Sequence, residues 1–393
     1  MENKKTNLLT FETVLKLVRF SVWGKKADFS ADEGTEESIK ATLALARRHG
    51  VFTLVADAAF KCGLIDSSTK FGNAIRKIQV KKIIKIQKTE FQLSRLTEAL
   101  TMAKIPHIPL KGSVIRKFYP EGFMRSSCDV DVLVAPVDLE KTVKLLPEVL
   151  GYKYWGRTFH DVSFESADGI HIEMHYDLIE EKAQHNLATV LREVWGCSEP
   201  DGNGYTYIMS NEMFMLYHIA HMAKHMLVGG CGIRPFIDLK LLFDKLKFDQ
   251  AVFNEMLKRS SLQKFAQECQ KMCDIWFGNG EHTELTERFQ TYILGGSIYG
   301  SAKYHIAVKR SEGVGHFKHV FRLAFLPKKN LELVYPNLKK RPYLFPIYQI
   351  KRWCRVFNRA KRNKITRNID ISNNISNETV ENVSALISDL GLK

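Results

Sequence analysis

Two aspartates stand two residues apart in the run Cys128-Asp129-Val130-Asp131-Val132-Leu133-Val134. On a β-strand such residues share a face, so Asp129 and Asp131 project together while Val130 and Val132 pack on the other side. Neighbouring carboxylates repel each other and lose hydration, which calls for a compensating charge. A divalent cation supplies it, and hard oxygen ligands select magnesium or manganese (Mg2+ or Mn2+) over softer metals. Asp-x-Asp also describes solvated strand ends, so its neighbours decide the reading. The apolar run Val130 to Val134 has the pattern of a buried strand. A third acid follows in His171-Ile172-Glu173-Met174-His175-Tyr176-Asp177, where period two puts His171, Glu173, His175 and Asp177 on one face.

Upstream, Leu110-Lys111-Gly112-Ser113 ends a short extended segment, Ile105 to Leu110, whose two prolines disfavour helix. A helix is expected over Val114 to Tyr119. Glycine at this junction lets a phosphate approach the backbone, Ser113 offers a hydroxyl, and the helix N–H groups point the same way. The same residues also suit a plain strand-to-helix turn. Arg125, four residues before Asp129, either braces the carboxylates or meets a phosphate oxygen.

The elements around these residues read as follows. Residues 1 to about 105 are expected to be helical. Phe11, Val14, Leu15, Leu17 and Val18 make an amphipathic start, and Glu37 to Phe60 runs to a stop at Cys62-Gly63. A long charged helix follows from about Phe71 to Ala103, with Ile75, Ile78, Val80, Ile83, Ile84, Ile86, Phe91, Leu93 and Leu96 as its apolar stripe. Val137 to Val149 is the next helix. Tyr154 to Phe164 and Gly169 to Leu178 are expected to pair around the turn Ser166 to Gly169.

Asn211 to Leu227 is a strong helix carrying His218, His221 and His225 on one face. Histidines four apart can bind zinc, but no acid or cysteine accompanies them, so polar contacts facing a cleft are the simpler reading. Ile233 to Asp238 leads into a helix through Phe243, and helices continue to about Gly300. Phe317 to Phe325 and Tyr343 to Phe357 mix aromatic and basic residues. The second either packs on the body with its basic groups outward, lies on a membrane surface or binds nucleic acid. Residues 366 to 382 look like a loose tail before a terminal helix over Val383 to Leu392.

At 393 residues the chain can bury a sizeable core. No run is long enough to cross a bilayer, and the N-terminus lacks the apolar segment of a signal peptide. Seven scattered cysteines complete no zinc set, and with the rest they suggest a reduced, cytoplasmic setting. The net charge of +15 favours acidic partners generally. Much of it lies in Lys339 to Lys364, which makes acidic-surface contact there a secondary property. The expected division is a helical region over 1–104, an αβ core over 105–210, a helical part closing the cleft over 211–300 and a basic aromatic region over 301–393.

Taken in order, Leu110-Lys111-Gly112-Ser113, Arg125, Asp129 to Val134, Gly151-Tyr152 and His171 to His175 resemble the nucleotidyltransferase superfamily, the polymerase-beta-like fold. They look most like its bacterial uncharacterised nucleotidyltransferases. His218-x-x-His221-x-x-Lys224-His225 and Asp238-Leu239 look like that group's helical part. The resemblance covers roughly residues 90 to 245. It implies an α+β fold in which a small mixed sheet is flanked by helices. It implies that Asp129 and Asp131 ligate the metals, that Glu173 is the third acid, and that Gly112-Ser113 lies at the nucleotide phosphates. Lys111, Arg125, Lys224 and Arg234 are then candidate phosphate counter-charges. The implied reaction moves a nucleoside monophosphate from an NTP to an acceptor and releases pyrophosphate. Two other readings stand beside it. One is a nucleotide- or RNA-binding module without chemistry. The other is a zinc hydrolase built on the histidines of 171–175 and 218–225. Nothing in the sequence chooses the acceptor among a small molecule, an RNA and a protein side chain, or chooses the base.

Overall fold

The computed structural model describes residues 2–127, 129–179, 185–202, 204–298, 300–311, 327–328, 331–332, 335, 337–356 and 374–393. Four helices come first: α1 (Glu2–Trp23), α2 (Glu36–Arg48), α3 (Phe52–Lys61) and α4 (Lys70–Met102). The single helix expected over Glu37 to Phe60 is two. Gly50 adopts φ +75°, a left-handed conformation open to glycine, and the chain turns there between α2 and α3. Only part of the apolar stripe on α4 is covered. Ile75, Ile86 and Leu96 are buried, whereas Val80, Ile84 and Phe91 face solvent.

The sheet is built from β1 (His107–Pro109), β2 (Asp129–Val134), β3 (Lys153–Arg157), β4 (Asp161–Glu165) and β5 (His171–His175). Its order is β1-β2-β5-β4-β3. Only β2 and β5 run parallel, so the sheet is mixed. The helix α5 (Gly112–Ile115) follows β1, and α6 (Leu139–Leu150) follows β2. The expected helix over Val114 to Tyr119 is α5 running into a 3-10 turn at Arg116–Phe118. The segment Tyr154 to Phe164, expected as one strand, is a hairpin of β3 and β4. Thr158 N–H donates to the Asp161 carbonyl at 2.8 Å and reverses the chain.

Then come α7 (His185–Leu191), a two-stranded ribbon of β6 (Ser198–Pro200) and β7 (Tyr207–Met209), and helices α8 (Asn211–Leu227), α9 (Arg234–Lys245), α10 (Gln250–Arg259), α11 (Gln263–Phe277), α12 (Glu284–Leu294) and α13 (Ala302–Ser311). Ser210 caps α8 by accepting from Met213 N–H, which fixes its start where the sequence placed it. The fold is therefore α+β, a small mixed sheet among helices.

Two cores hold it. One side of the sheet, Val130, Val132, Val162, Phe164, Ile172 and Met174, packs with Leu96 and Leu100 of α4 and Leu146 of α6. A larger core joins α1 and α3 to α8, α9, α11 and the C-terminal helix Asn377–Asp389. The loose tail expected over 366 to 382 is thus helical from Asn377, and 366 to 373 lie outside the described residues. So do Phe317 to Phe325, Phe357 and Cys128. Within the helix Phe345–Val356, Ile347 and Ile350 are exposed, as is Tyr343 before it. Tyr348 and Phe345 are half-buried, and Tyr348 stacks on Tyr335 at 4.5 Å between centroids, so this apolar side is packed in part. No helix among the described residues is long and apolar enough to cross a membrane.

Candidate functional site

The carboxylates meet because β2 and β5 are parallel neighbours. Their register sets Asp129 opposite His171, Asp131 opposite Glu173 and Leu133 opposite His175. Alternation turns Asp129, Asp131, Glu173 and His175 to the face opposite the sheet core.

Asp131 is buried. Its Oδ1 accepts from Lys111 Nζ at 2.7 Å and lies 3.0 Å from His175 Nε2. Burial pushes this carboxyl up, but the Lys111 ammonium and the His175 ring outweigh it and hold Asp131 well below the usual carboxylate range. Lys111 is held above the ordinary lysine value. Its burial opposes the charge, and Asp131 more than compensates. His175 is raised as well. Burial and Lys111 disfavour its protonation, and the bonds to Asp131 and Glu173 prevail. Asp129 moves the other way. Burial and repulsion from Asp131 and Glu173 raise it, against the pull of Lys111 and Arg234. Glu173 Oε2 lies 3.4 Å from His175 Nε2, and its Oε1 lies 3.4 Å from His171 Nε2.

The loop after β1 brings Lys111 over this group. Leu110 N–H donates to the Asp131 carbonyl at 2.9 Å, and Lys111 itself takes φ +47° and ψ −121°. A non-glycine residue there stores about 1–3 kcal/mol of strain. Gly112 follows, and a Cβ on it would lie 2.5 Å from Arg125 Nη1 and 3.1 Å from Ser127 Oγ. Glycine is therefore required by the close approach of Arg125. Ser113 is half-buried and is not part of the cleft wall, whereas Ser127 is.

Arg125 is buried and pairs with Asp238 of α9 at two points, Nε to Oδ1 at 3.2 Å and Nη2 to Oδ2 at 2.8 Å. Tyr119 adds a hydroxyl donor to Asp238 Oδ1 at 2.7 Å. Arg125 was expected to brace Asp129 and Asp131 or to meet a phosphate, but the carboxylate it holds is Asp238 of α9. Arg234 Nη1 donates to the Ser126 carbonyl at 2.8 Å, and the residue lines the cleft beside Asp129 and Glu173.

The opposite wall is α8. Tyr217, His218, His221, Lys224 and His225 border the cleft, which encloses about 210 Å3. His218 Nε2 lies 2.9 Å from the Pro235 carbonyl. The rings of His221 and His225 meet edge to face at 4.5 Å between centroids. Burial, with Lys111 and His225 nearby, holds His221 well below the ordinary histidine value and keeps it neutral. These histidines face the cleft and join no cluster of metal-binding geometry among the described residues. Cys269 and Cys273 are buried in the helical core.

The residues present fit a hard cation. Three carboxylates converge on one face, and burial together with repulsion among them raises Asp129. Ligand atoms of Asp131, Glu173 and His175 lie within 4.8 Å of one another, a spacing that one ion could bridge. The sequence placed His175 on the Glu173 face by alternation and named it only in the zinc reading, and it did not single out Tyr217. For Tyr217 no signal was available, since an aromatic residue in an apolar helix usually marks core. The Asp238 pairing was also hidden, because it joins residues 113 positions apart.

A protein family described as uncharacterised nucleotidyltransferase matches residues 35–278, more than half of the chain. No curated protein sequence and no solved structure matches the chain. The chain belongs to this nucleotidyltransferase family.

Proposed function

From that membership and the carboxylate cleft, we propose that the protein is a metal-dependent nucleotidyltransferase. It moves a nucleoside monophosphate from an NTP to an acceptor. The observation that carries this reading is the convergence of Asp129, Asp131 and Glu173 on one sheet face under a basic rim of Lys111, Lys224 and Arg234. Asp129, Asp131 and Glu173 would hold Mg2+ or Mn2+, with His175 beside them. When bound, the cation neutralises charge on the triphosphate and on the departing pyrophosphate.

The protein's own groups account for the rest. Gly112 and Ser127 border the cleft together with Asp129, and the phosphates are placed along this loop. Lys111 and Arg234 offset phosphate charge, and Lys224 does so from α8. Arg125 acts indirectly, by holding the loop that carries Ser126 and Ser127 against α9. The acceptor oxygen attacks the α-phosphorus, the bond to the bridging oxygen of pyrophosphate breaks, and Glu173 takes the acceptor's proton. The test is to incubate the protein with each α-labelled NTP, Mg2+ and a cell extract. Label transfer to an acceptor with matching pyrophosphate release is expected from wild type and not from Asp129→Asn/Asp131→Asn. Equal labelling by the two proteins would overturn the assignment.

A further inference from the structure

A second cavity of about 270 Å3 lies behind the carboxylate cleft. Lys111, Tyr217, His221 and Lys224 line both spaces, so the two adjoin along these side chains. The two differ in chemistry. The first is bordered by Asp129, Asp131 and Glu173. The second is walled by Leu178, Ile179, Leu187, Leu191, Leu227 and Leu262, with three lysines, Lys111, Lys224 and Lys309, and no aspartate or glutamate among its described lining residues.

His175 stands between the spaces. Its Nε2 faces Asp131, its ring lines the second cavity, and its buried Nδ1 has no hydrogen-bond partner. The ring thereby joins the cavity lining to the carboxylate face, 3.0 Å from Asp131 Oδ1. Most of the lining is aliphatic and its charged side chains are lysines, a combination that suits an anion with an apolar body.

We propose that the second cavity is the acceptor subsite and that it takes an apolar-bodied anion bearing a hydroxyl group. This rests on the nucleotidyl transfer reading. The aliphatic wall takes the body, Lys309 and Lys224 take the anion, and the hydroxyl meets the shared lining beside Lys111 and His175. Its oxygen forms the new bond to the α-phosphorus as pyrophosphate leaves, and its proton passes to Glu173.

The probe is 8-anilinonaphthalene-1-sulfonate, an apolar-bodied anion whose fluorescence reports burial, titrated into the full chain. One saturable site is expected. Leu187→Asp and Lys309→Glu should each weaken it at least tenfold, and saturating Mg2+ with ATP should change its affinity less than twofold. Lys309→Glu alters a half-buried side chain and tests the site even if Leu187→Asp folds poorly. Wild-type probe affinity in Lys309→Glu, or competitive displacement of the probe by Mg2+ and ATP, would overturn the proposal. ATP binding is measured on the same samples. Its absence in wild type would refute the transferase reading and the acceptor role with it, while cavity-dependent probe binding would still establish the ligand class.

Discussion

Lys111 Nζ lies 2.7 Å from Asp131 Oδ1, so one of the three converging acids already has its counter-charge inside the protein. Asp131 also contacts His175. Burial, with repulsion from Asp131 and Glu173, raises the Asp129 carboxyl. The site therefore sets a lysine-paired acid beside Asp129 and Glu173 on one sheet face. The strained backbone of Lys111 is what places its ammonium there.

Gly112 tests how tightly the loop is built. In Gly112→Ala the new methyl group would meet Arg125 Nη1 at 2.5 Å, and Arg125 cannot swing away without leaving Asp238. Chemical denaturation should show a loss of about 1–3 kcal/mol. Magnesium-dependent nucleotide affinity should fall as well. Unchanged stability and affinity would show that Arg125 has room to move.

The Arg125–Asp238 pair should be costly to break. Arg125→Met leaves Asp238 buried with only Tyr119 donating to it, and a loss of about 3–5 kcal/mol is expected. Burial raises the Asp238 carboxyl, but Arg125 lowers it further, and the net shift is downward. A carboxyl lowered on folding stabilises the protein above its unfolded value, near pH 4, and that contribution is lost as pH falls through the folded value. Acid unfolding of Asp238→Asn should lack this component. Identical acid profiles for the variant and wild type would contradict it.

Asp129, Asp131 and Glu173 were legible in the sequence because period two fixes which side chains share a strand face. The bounds of α8 were legible because Ser210 supplies a side-chain cap just before an apolar run. The break at Gly50 was not. Its flanks, His49 and Val51, continue the apolar spacing, and only the positive φ interrupts it. The turn Thr158 to Asp161 was missed because Thr-Phe-His-Asp carries no glycine or proline and its Phe159 continues the strand pattern. The parallel register that sets Asp131 against Glu173, and the reach of Arg125 to Asp238, are long-range pairings with no local mark.

His49 offers a separate pH test away from the cleft. It is fully buried, and neither ring nitrogen has a hydrogen-bond partner. Burial first, and then Arg48, push it down to about 3. The unfolded chain thus takes up this proton first as pH falls. Stability is full above about pH 6.5 and declines toward pH 3, by at most about 1.4 kcal/mol per pH unit. His49→Leu should remove that slope between pH 6 and 4. The same slope in both proteins would show that His49 is not the group responsible.

The C-terminal helix should be structural. Leu386, Ile387, Leu390 and Leu392 are buried, and Arg288 pairs with Asp389 at 2.9 Å. Burying each such side chain stabilises by about 1.5–3 kcal/mol. Deletion of 376–393 should lower stability by at least about 3 kcal/mol and open the second cavity, which Leu392 lines. A truncated chain with wild-type stability would rule out this packing role.

The central claim is that Asp129, Asp131 and Glu173 hold a divalent cation that a nucleotide needs in order to bind. Calorimetric titration of ATP, CTP, GTP and UTP, with and without Mg2+, tests it most directly. At least one NTP should bind wild type only when Mg2+ is present, and Asp129→Asn/Asp131→Asn should bind it at least tenfold more weakly. Equal affinity in the two proteins, or wild-type binding indifferent to Mg2+, would contradict the account.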